Sequence, residues 1–514
     1  MTVSEIIAKI DDWIWATPLI VLIFGTAIVY MILMKGGNLT RIRLQFKLLI
    51  KGSGSKEGLS PFQSFCSVIG YRVAVGNIGG VMVAIMYGGP GAVVWMMITA
   101  LITSAVSYAE NSLGQIYKVR MDGQYRGGPY YYMEKGIPWK KLGKIFAVVF
   151  AVLASVGVPL LVTGPSANNI AMALENSFGI SPVITGAVMA VLLFLVISGG
   201  VRRIANIATV IVPFMTIIYI LITIITLIGN AAYLPSTIAT MFKSAFNADA
   251  VFGGMMGGAF SYGVKRAVNS SGSGFGETPA TAAAAECAHP ASQGLVNAFS
   301  VYVDVIICFC SGIMVLTTDC FNVLGTDGEF MHIGAGSEVM AQQAATYTAG
   351  VVWVQEAANT VLSFGGAVIA IALTLFAFST CMAYYYEGES GLAYLLRNRS
   401  DKTRKAAIWM IRIIMPITFF LWSNVSASTA WEVSEIMFGL MAWLNGITLI
   451  ILIPKVIKVY NDYFAQRKAG VKEPYFNPEK LGIKGCEVWM DINKERIEEE
   501  REKENAGRRD EERV

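Results

Sequence analysis

VAVGNIGGVMVAI, residues 73–85, is apolar enough to lie in hydrocarbon, yet glycines interrupt it at 76, 79 and 80 and an asparagine stands at 77. A plain membrane-spanning helix has no use for helix breakers and a polar amide at its middle. Unwound backbone in a bilayer leaves N–H and C=O groups unpaired at a high cost. It survives only where it is buried in protein or lines a cavity in which something else satisfies it. A second stretch of this kind, NSSGSGFGETP from Asn269 to Pro279, lies in the other half of the chain.

The surroundings are those of a polytopic membrane protein. Of 514 residues 54% are hydrophobic and 15% charged, with mean hydropathy +0.55, whereas soluble domains carry about 25% charged residues. Eleven apolar runs are long enough to cross a bilayer: 13–34, 62–87, 93–118, 143–172, 182–199, 205–230, 250–287, 293–319, 349–386, 405–424 and 430–458.

Charge gives these spans an expected direction. Lys35, Arg41, Arg43, Lys47, Lys51 and Lys56 crowd one connection, and Lys118, Arg120, Arg126, Lys135, Lys140, Lys141 and Lys144 another, while 173–181, 320–348 and 425–429 hold no Lys or Arg. The positive-inside rule then places the N-terminus outside and the C-terminus in the cytoplasm of a cell (inner or plasma) membrane. The first run is full length with acidic residues ahead of it, so it reads as a span and not as a cleaved leader. Six of the seven cysteines fall in or at the ends of spans, with no C-x-x-C pair, so neither a disulfide framework nor a cysteine metal site is offered. The tail ends in INKERIEEEREKENAGRRDEERV, which reads as a solvated or disordered appendage.

Interrupted helices at corresponding places in two halves are the sequence sign of a transporter repeat. Each break here opens a set of five spans, 2 to 6 and 7 to 11. Five is odd, so the halves must have opposite orientation. The expected architecture is all-α with a 5+5 inverted repeat. It divides into residues 1–61 (one extra span and an interfacial basic segment), 62–230 and 231–458 (the repeats) and 459–514 (a charged tail). Half-helix N-termini present free amides suited to a carboxylate, and half-helix C-termini present carbonyls suited to an ammonium or metal cation. Two facing breaks therefore suit a zwitterion. Close helix packing also uses small residues and is the preferred reading of GGMMGGAF at 253–260. It does not explain Asn77, Ser271, Ser273 and Pro279 clustered with the breakers.

At these residues the chain resembles the alanine/glycine:cation symporter family, the sodium:alanine symporters, whose fold is of the leucine-transporter type. GNIGGVMVAIMYGGPGAVVWM is similar to the family's GNIAGVA followed by GGPGA, GQYRGGPYYYMEKG to its GGP-x-YY loop, HPASQGLVNAFSVYVDVII to HP-x-x-QG with F-x-D-T-I, and LFAFSTCMAYYYEGE to F-A-[YF]-S-T followed by YYGE. The chain departs from the pattern in GYRVAVGN, which brings Tyr71, Arg72 and Ala74. It departs again in SSGSGFGETP, where Ser271, Gly272 and Glu277 differ from the family's SNEAGxGSAP.

The candidate substrate-binding set is Arg72, Val75, Gly76, Asn77, Ser271, Ser273, Gly274, Phe275 and Glu277; the charges Arg72 and Glu277 enter as departures from the pattern, and the resemblance implies the two unwound segments. The α-carboxylate is expected near Gly76 and Asn77, and the α-amino group near Ser271 to Phe275. It also implies that Ser379 and Thr380 face the carbonyls of Gly70 and Val73 and close a sodium site; sodium prefers such hard oxygens. Without the resemblance, the two hydroxyls read as bonding carbonyls of their own helix, and Asn77 as an interhelical hydrogen bonder. A guanidinium in the bilayer needs a partner or a cavity, so Arg72 is expected to pair with Glu277, to anchor a second substrate carboxylate, or to act as a fixed cation in space that sodium would otherwise use. Glu110 and Asp304 read as proton relays or as groups that cap and pair within the bundle. His289 and His332 stand in no metal-ligand spacing.

These readings converge on a sodium-coupled symporter importing small neutral amino acids by alternating access. The alternatives are proton coupling, or a different amino acid or carboxylate. No hydrolase, P-loop or paired-carboxylate motif argues for an enzyme. Nothing calls for an organic cofactor or a nucleic acid, and one chain in a lipid bilayer suffices. A channel would need a continuous polar pore, which spans 4 to 6 do not suggest. A membrane sensor would need a structured tail module.

Overall fold

The computed structural model describes residues 3–50, 58–246, 256–325 and 327–511. Lys51, Lys56 and the opening of the seventh expected span, with Gly253 and Gly254, lie outside the described residues. Among the described residues seven helices are long and apolar enough to cross a membrane, and the pair Pro61–Arg72 and Val75–Gly88, bent by 60° at the first break, makes an eighth if taken as one span. Thr17–Leu33 and Pro182–Ile197 are shorter apolar helices. The second break separates Met256–Ser271 from the five-residue helix Pro279–Ala283.

The helices sort into an inner and an outer group by what their sequences can bury. In Gly91–Ile116 and Pro290–Thr317 the most apolar stretches are 72% and 78% buried, against 33% in Gly200–Gly229 and 28% in Asp401–Trp422. The inner pair carries Ser104, Ser107, Glu110 and Asn111, and Asn297, Ser300 and Asp304, all buried. The outer helices present Ile, Val, Leu and Phe, which lipid solvates without cost. The inner helices thus form a polar lining around both breaks.

Two expected spans differ in detail. The run at 143–172 becomes one 39-residue unit, Lys140–Phe178, whose middle Leu153–Val162 is a wide π-helical turn containing Pro159. Proline has no N–H to give the ladder, and a π turn accommodates that loss. The run at 349–386 divides at residues 360–364 into Val351–Asn359 and the long helix Gly365–Leu395.

The tail is corrected in its first part, ahead of the closing charged run. Its charges conceal spaced apolar residues, and Phe476, Ile483, Cys486 and Trp489 are buried. The Trp489 indole donates to the carbonyls of Gln115 and Ile116 at 3.1 and 3.2 Å, capping the orphan carbonyls at the end of Gly91–Ile116. Asn493 donates to the carbonyls of Ala288 and Phe476. Lys118 lies over the Trp489 ring at 4.3 Å. The segment is a folded plug on the tail side of the bundle. Beside it, the strand-like residue Leu59 bridges to Ala285, with Leu59 N–H donating to Ala284 and Glu286 N–H to Leu59. This ties the start of the first broken helix to the end of the second.

Candidate functional site

The first break is organised locally. Asn77 accepts from the Ala74 N–H through its side chain at 2.9 Å, and the Asn77 and Ile78 N–H groups donate back to Ala74 and Val75 in a single 3₁₀ turn. The same side chain donates to Asp304 Oδ1 at 2.5 Å. Asn77 is therefore a cap and an interhelical bridge at once. Among the described residues the N–H groups of Val75 and Gly76 donate to nothing, and both residues line a cavity.

The second break is held from outside. Glu110, fully buried on the neighbouring inner helix, accepts from the N–H groups of Gly274 (3.1 Å) and Gly276 (3.3 Å) and from the Thr278 hydroxyl (3.3 Å). Asn445 donates to the Gly274 carbonyl at 2.9 Å. Arg72 donates to the Ser271 carbonyl, to Ser273 Oγ at 3.0 Å and to Ser107 Oγ at 2.7 Å. Gly272, Gly274 and Gly276 all have positive φ, at 56°, 95° and 82°. Other residues rarely adopt such a backbone, so a run of glycines is required.

Arg72 thus finds partners, but not the expected one. Its ion pair is with Glu110 at 3.8 Å, and no Arg72–Glu277 pair forms. The carboxylate of Glu277 folds back over Gly272, where a Cβ would collide with Oε1.

Asp304 joins the two breaks. It accepts from Asn77 and, at 2.8 Å, from Ser270, and a Cβ on Gly76 would stand 3.6 Å from the Ser270 Cα. Between the breaks lies a cavity of about 40 Å³, room for two or three waters at roughly 10–15 Å³ each. Of the expected substrate set, Arg72, Val75, Gly76 and Glu277 line it. Asn77, Ser271, Ser273, Gly274 and Phe275 do not, the last stacking on Phe438 at 5.0 Å.

Several cavity residues were not foreseen. Arg266 pairs with Glu435 at 2.6 Å and lies over Trp431; with Asn269 and Tyr384 it completes the wall. A charge inside the span 250–287 was the available signal for Arg266.

The expected cation ligands divide. Thr380 Oγ1 lies 2.7 Å from the Gly70 carbonyl, and Gly70 approaches the Ser379 backbone closely. The Ser379 hydroxyl donates to Phe376 O of its own helix at 2.8 Å. Val73 is buried at the end of Pro61–Arg72. The donors here are hydroxyl and carbonyl oxygens, the chemistry a hard monovalent cation takes.

The description "Sodium:alanine symporter family" matches residues 1–478. The carrier protein YrbD of Bacillus subtilis (strain 168) is 42% identical over 95% of this chain and 97% of its own length. The sodium/proton-dependent alanine carrier protein of Bacillus sp. (strain PS3) is 36% identical over 86% of this chain and 96% of its own. Among solved structures, the substrate-bound outward-open state of a Na⁺-coupled sialic acid symporter superposes with TM-score 0.51 at 13% identity, over 93% of this chain and 98% of that one. It shares the fold, which is of the leucine-transporter type.

Proposed function

Because the chain belongs to the sodium:alanine symporter family, we propose that it imports a small neutral amino acid together with sodium, by alternating access around its two broken helices. The observation that carries this is the meeting of the breaks at Gly76 and Ser270 beside a small cavity. The free N–H groups of Val75 and Gly76 suit the α-carboxylate. Sodium is taken at Thr380, Ser379 and the carbonyls of Gly70 and Val73. A charge moving inward down 100 mV supplies about 2.3 kcal/mol.

The α-amino group is the harder half. The Ser271 carbonyl expected to receive it already accepts from Arg72, so in this conformation the guanidinium stands where an ammonium would. Substrate entry on this reading displaces that bond or uses Asn269 and Ser270 at the cavity wall.

The test is uptake of a labelled amino-acid panel into proteoliposomes with and without an inward sodium gradient. Sodium-stimulated alanine entry is expected, and Ser379→Ala combined with Thr380→Val should abolish the stimulation in a protein that still folds. Unchanged sodium dependence in that variant removes the cation assignment.

A second reading is a carrier of an acidic amino acid or other carboxylate. It is favoured by the Nε atoms of Arg72 and Arg266, both buried without a hydrogen-bond partner on residues lining the cavity. Competition by glutamate that exceeds competition by alanine would select it.

A further inference from the structure

On the tail side of the second break, the long helix Gly365–Leu395 carries a carboxylate that the substrate and sodium readings leave unused. Glu387 is fully buried, and neither of its oxygens accepts a hydrogen bond from any described residue. The next acid on the same helix behaves differently: Glu389 accepts from Arg126 at 2.9 Å and from Tyr385 at 2.5 Å, with Arg412 at 3.5 Å. The lack of a partner at Glu387 is therefore a local property. The charged groups that reach it are acids, Glu277 from the second break and Glu110 from Gly91–Ile116. Glu110 is already engaged with Arg72 and two backbone amides, while Glu277 Oε2 is also unpartnered.

Among the described residues, tyrosines also face it: Tyr71 from Pro61–Arg72, Tyr130 and Tyr132 from Pro129–Gly136, and Tyr384 on its own helix. The hydroxyls of Tyr130 and Tyr386 are turned to Ser390, and none of the three donates to Glu387. A carboxylate ion in such surroundings has neither a donor nor a cation to offset its desolvation, so the neutral acid is the form that can reside there.

We propose that Glu387 is a proton-binding site of the transport cycle, loaded from the side of Glu277 and discharged toward the tail side. On discharge the O–H bond of the Glu387 carboxylic acid breaks and the proton passes to water admitted between the tyrosines. The carboxylate left behind is then solvated until the next protonation. The proposal rests on the transport reading above and adds a second coupling ion to it.

The full chain is reconstituted in liposomes containing a trapped pH dye, with the membrane potential clamped, an inward sodium gradient, and alanine as the probe. Wild-type alanine entry should acidify the lumen. In Glu387→Gln and Glu387→Leu the protons moved per alanine carried should fall to the level of empty liposomes, whatever rate of entry remains, and where a variant carries no alanine the thermal profiles below decide. Acidification per alanine equal to wild type in both variants overturns the proposal, and so does wild-type entry that moves no protons. Should the wild type carry no amino acid of the panel, the transport reading has failed, and the site is judged on thermal unfolding alone. An acid neutral when folded and ionised when unfolded releases a proton on unfolding, so stability falls as pH rises. The wild-type melting temperature should then drop with pH more steeply than that of Glu387→Gln, and parallel profiles overturn the site.

Discussion

The two helix breaks solve the same problem in opposite ways. The first, at Val73 to Ile78, is nearly self-sufficient: one side chain, Asn77, caps its turn and anchors it to Asp304. The second, at Gly272 to Thr278, has two weak local bonds, Ser273 N–H to Ser271 Oγ at 3.4 Å and Phe275 N–H to Gly272 at 3.3 Å. It otherwise depends on Glu110, Arg72 and Asn445 from three other helices. A segment stabilised by its own turn moves as a unit, whereas one held by groups on its neighbours changes shape whenever those neighbours move. The second break is thus the one whose backbone is coupled to rearrangement of the bundle.

The largest effect is expected at Glu110. Glu110→Ala removes the acceptor of two backbone amides and strands Arg72 in the interior. Losing one member of a buried pair costs about 3–5 kcal/mol, so the variant should lose uptake and melt well below wild type. Arg72→Ala should be comparably damaging, and the double variant milder than the sum. A thermal double-mutant cycle measures this, and strict additivity would break the claim that the pair supports the second break.

Asn77→Ala should come next. It leaves the Ala74 N–H and the Asp304 carboxylate each short of a buried partner, at about 1–3 kcal/mol for a lost buried bond, with Asp304 still held by Ser270. Asn77→Asp keeps the cap but turns the Asp304 contact into a repulsion, so it should fall below Asn77→Ala in stability. The reverse order would show that the cap, not the bridge, is what Asn77 contributes.

How much of this was legible follows from distance along the chain. The breaks themselves were readable because their glycines are contiguous and their consequence, unpaired backbone, is local. The partners were not. Arg72 and Glu277 were the two unexpected charges at the breaks, and pairing them was the economical guess. The structure gives Arg72 to Glu110, an acid expected to relay protons or to pair somewhere in the bundle but with no partner named, because three-dimensional neighbours on different helices leave no trace in spacing. Thr380 beside Gly70 came from the family resemblance, while both Ser379 and Thr380 also bond the Phe376 carbonyl of their own helix, as the residues alone suggested. The tail was misread for another reason. Trp489 and Phe476 are too few and too widely spaced to register against the surrounding charge, yet two aromatic side chains can anchor a plug when helix ends offer orphan carbonyls.

The smallest effect sharpens the comparison most, because it uses one substitution at equivalent places. Gly76 is not in a left-handed conformation, and a methyl there would meet Ser270 at ordinary contact distance, 3.6 Å. Gly274 has φ of 95°, and a methyl would meet Ile23 at 3.4 Å, still ordinary contact, so the strain there lies in the backbone. Gly274→Ala should therefore lower stability by about 1–2 kcal/mol, the cost of placing an ordinary residue in the left-handed region. Gly76→Ala should stay within about 0.5 kcal/mol of wild type. Its methyl nevertheless narrows a cavity of about 40 Å³, so the change should appear as a raised KM for alanine at unaltered melting temperature, and Gly76→Leu should abolish binding. If instead Gly76→Ala destabilises as much as Gly274→Ala with no change in KM, the first break is held as tightly as the second and the cavity beside it is not where the amino acid binds.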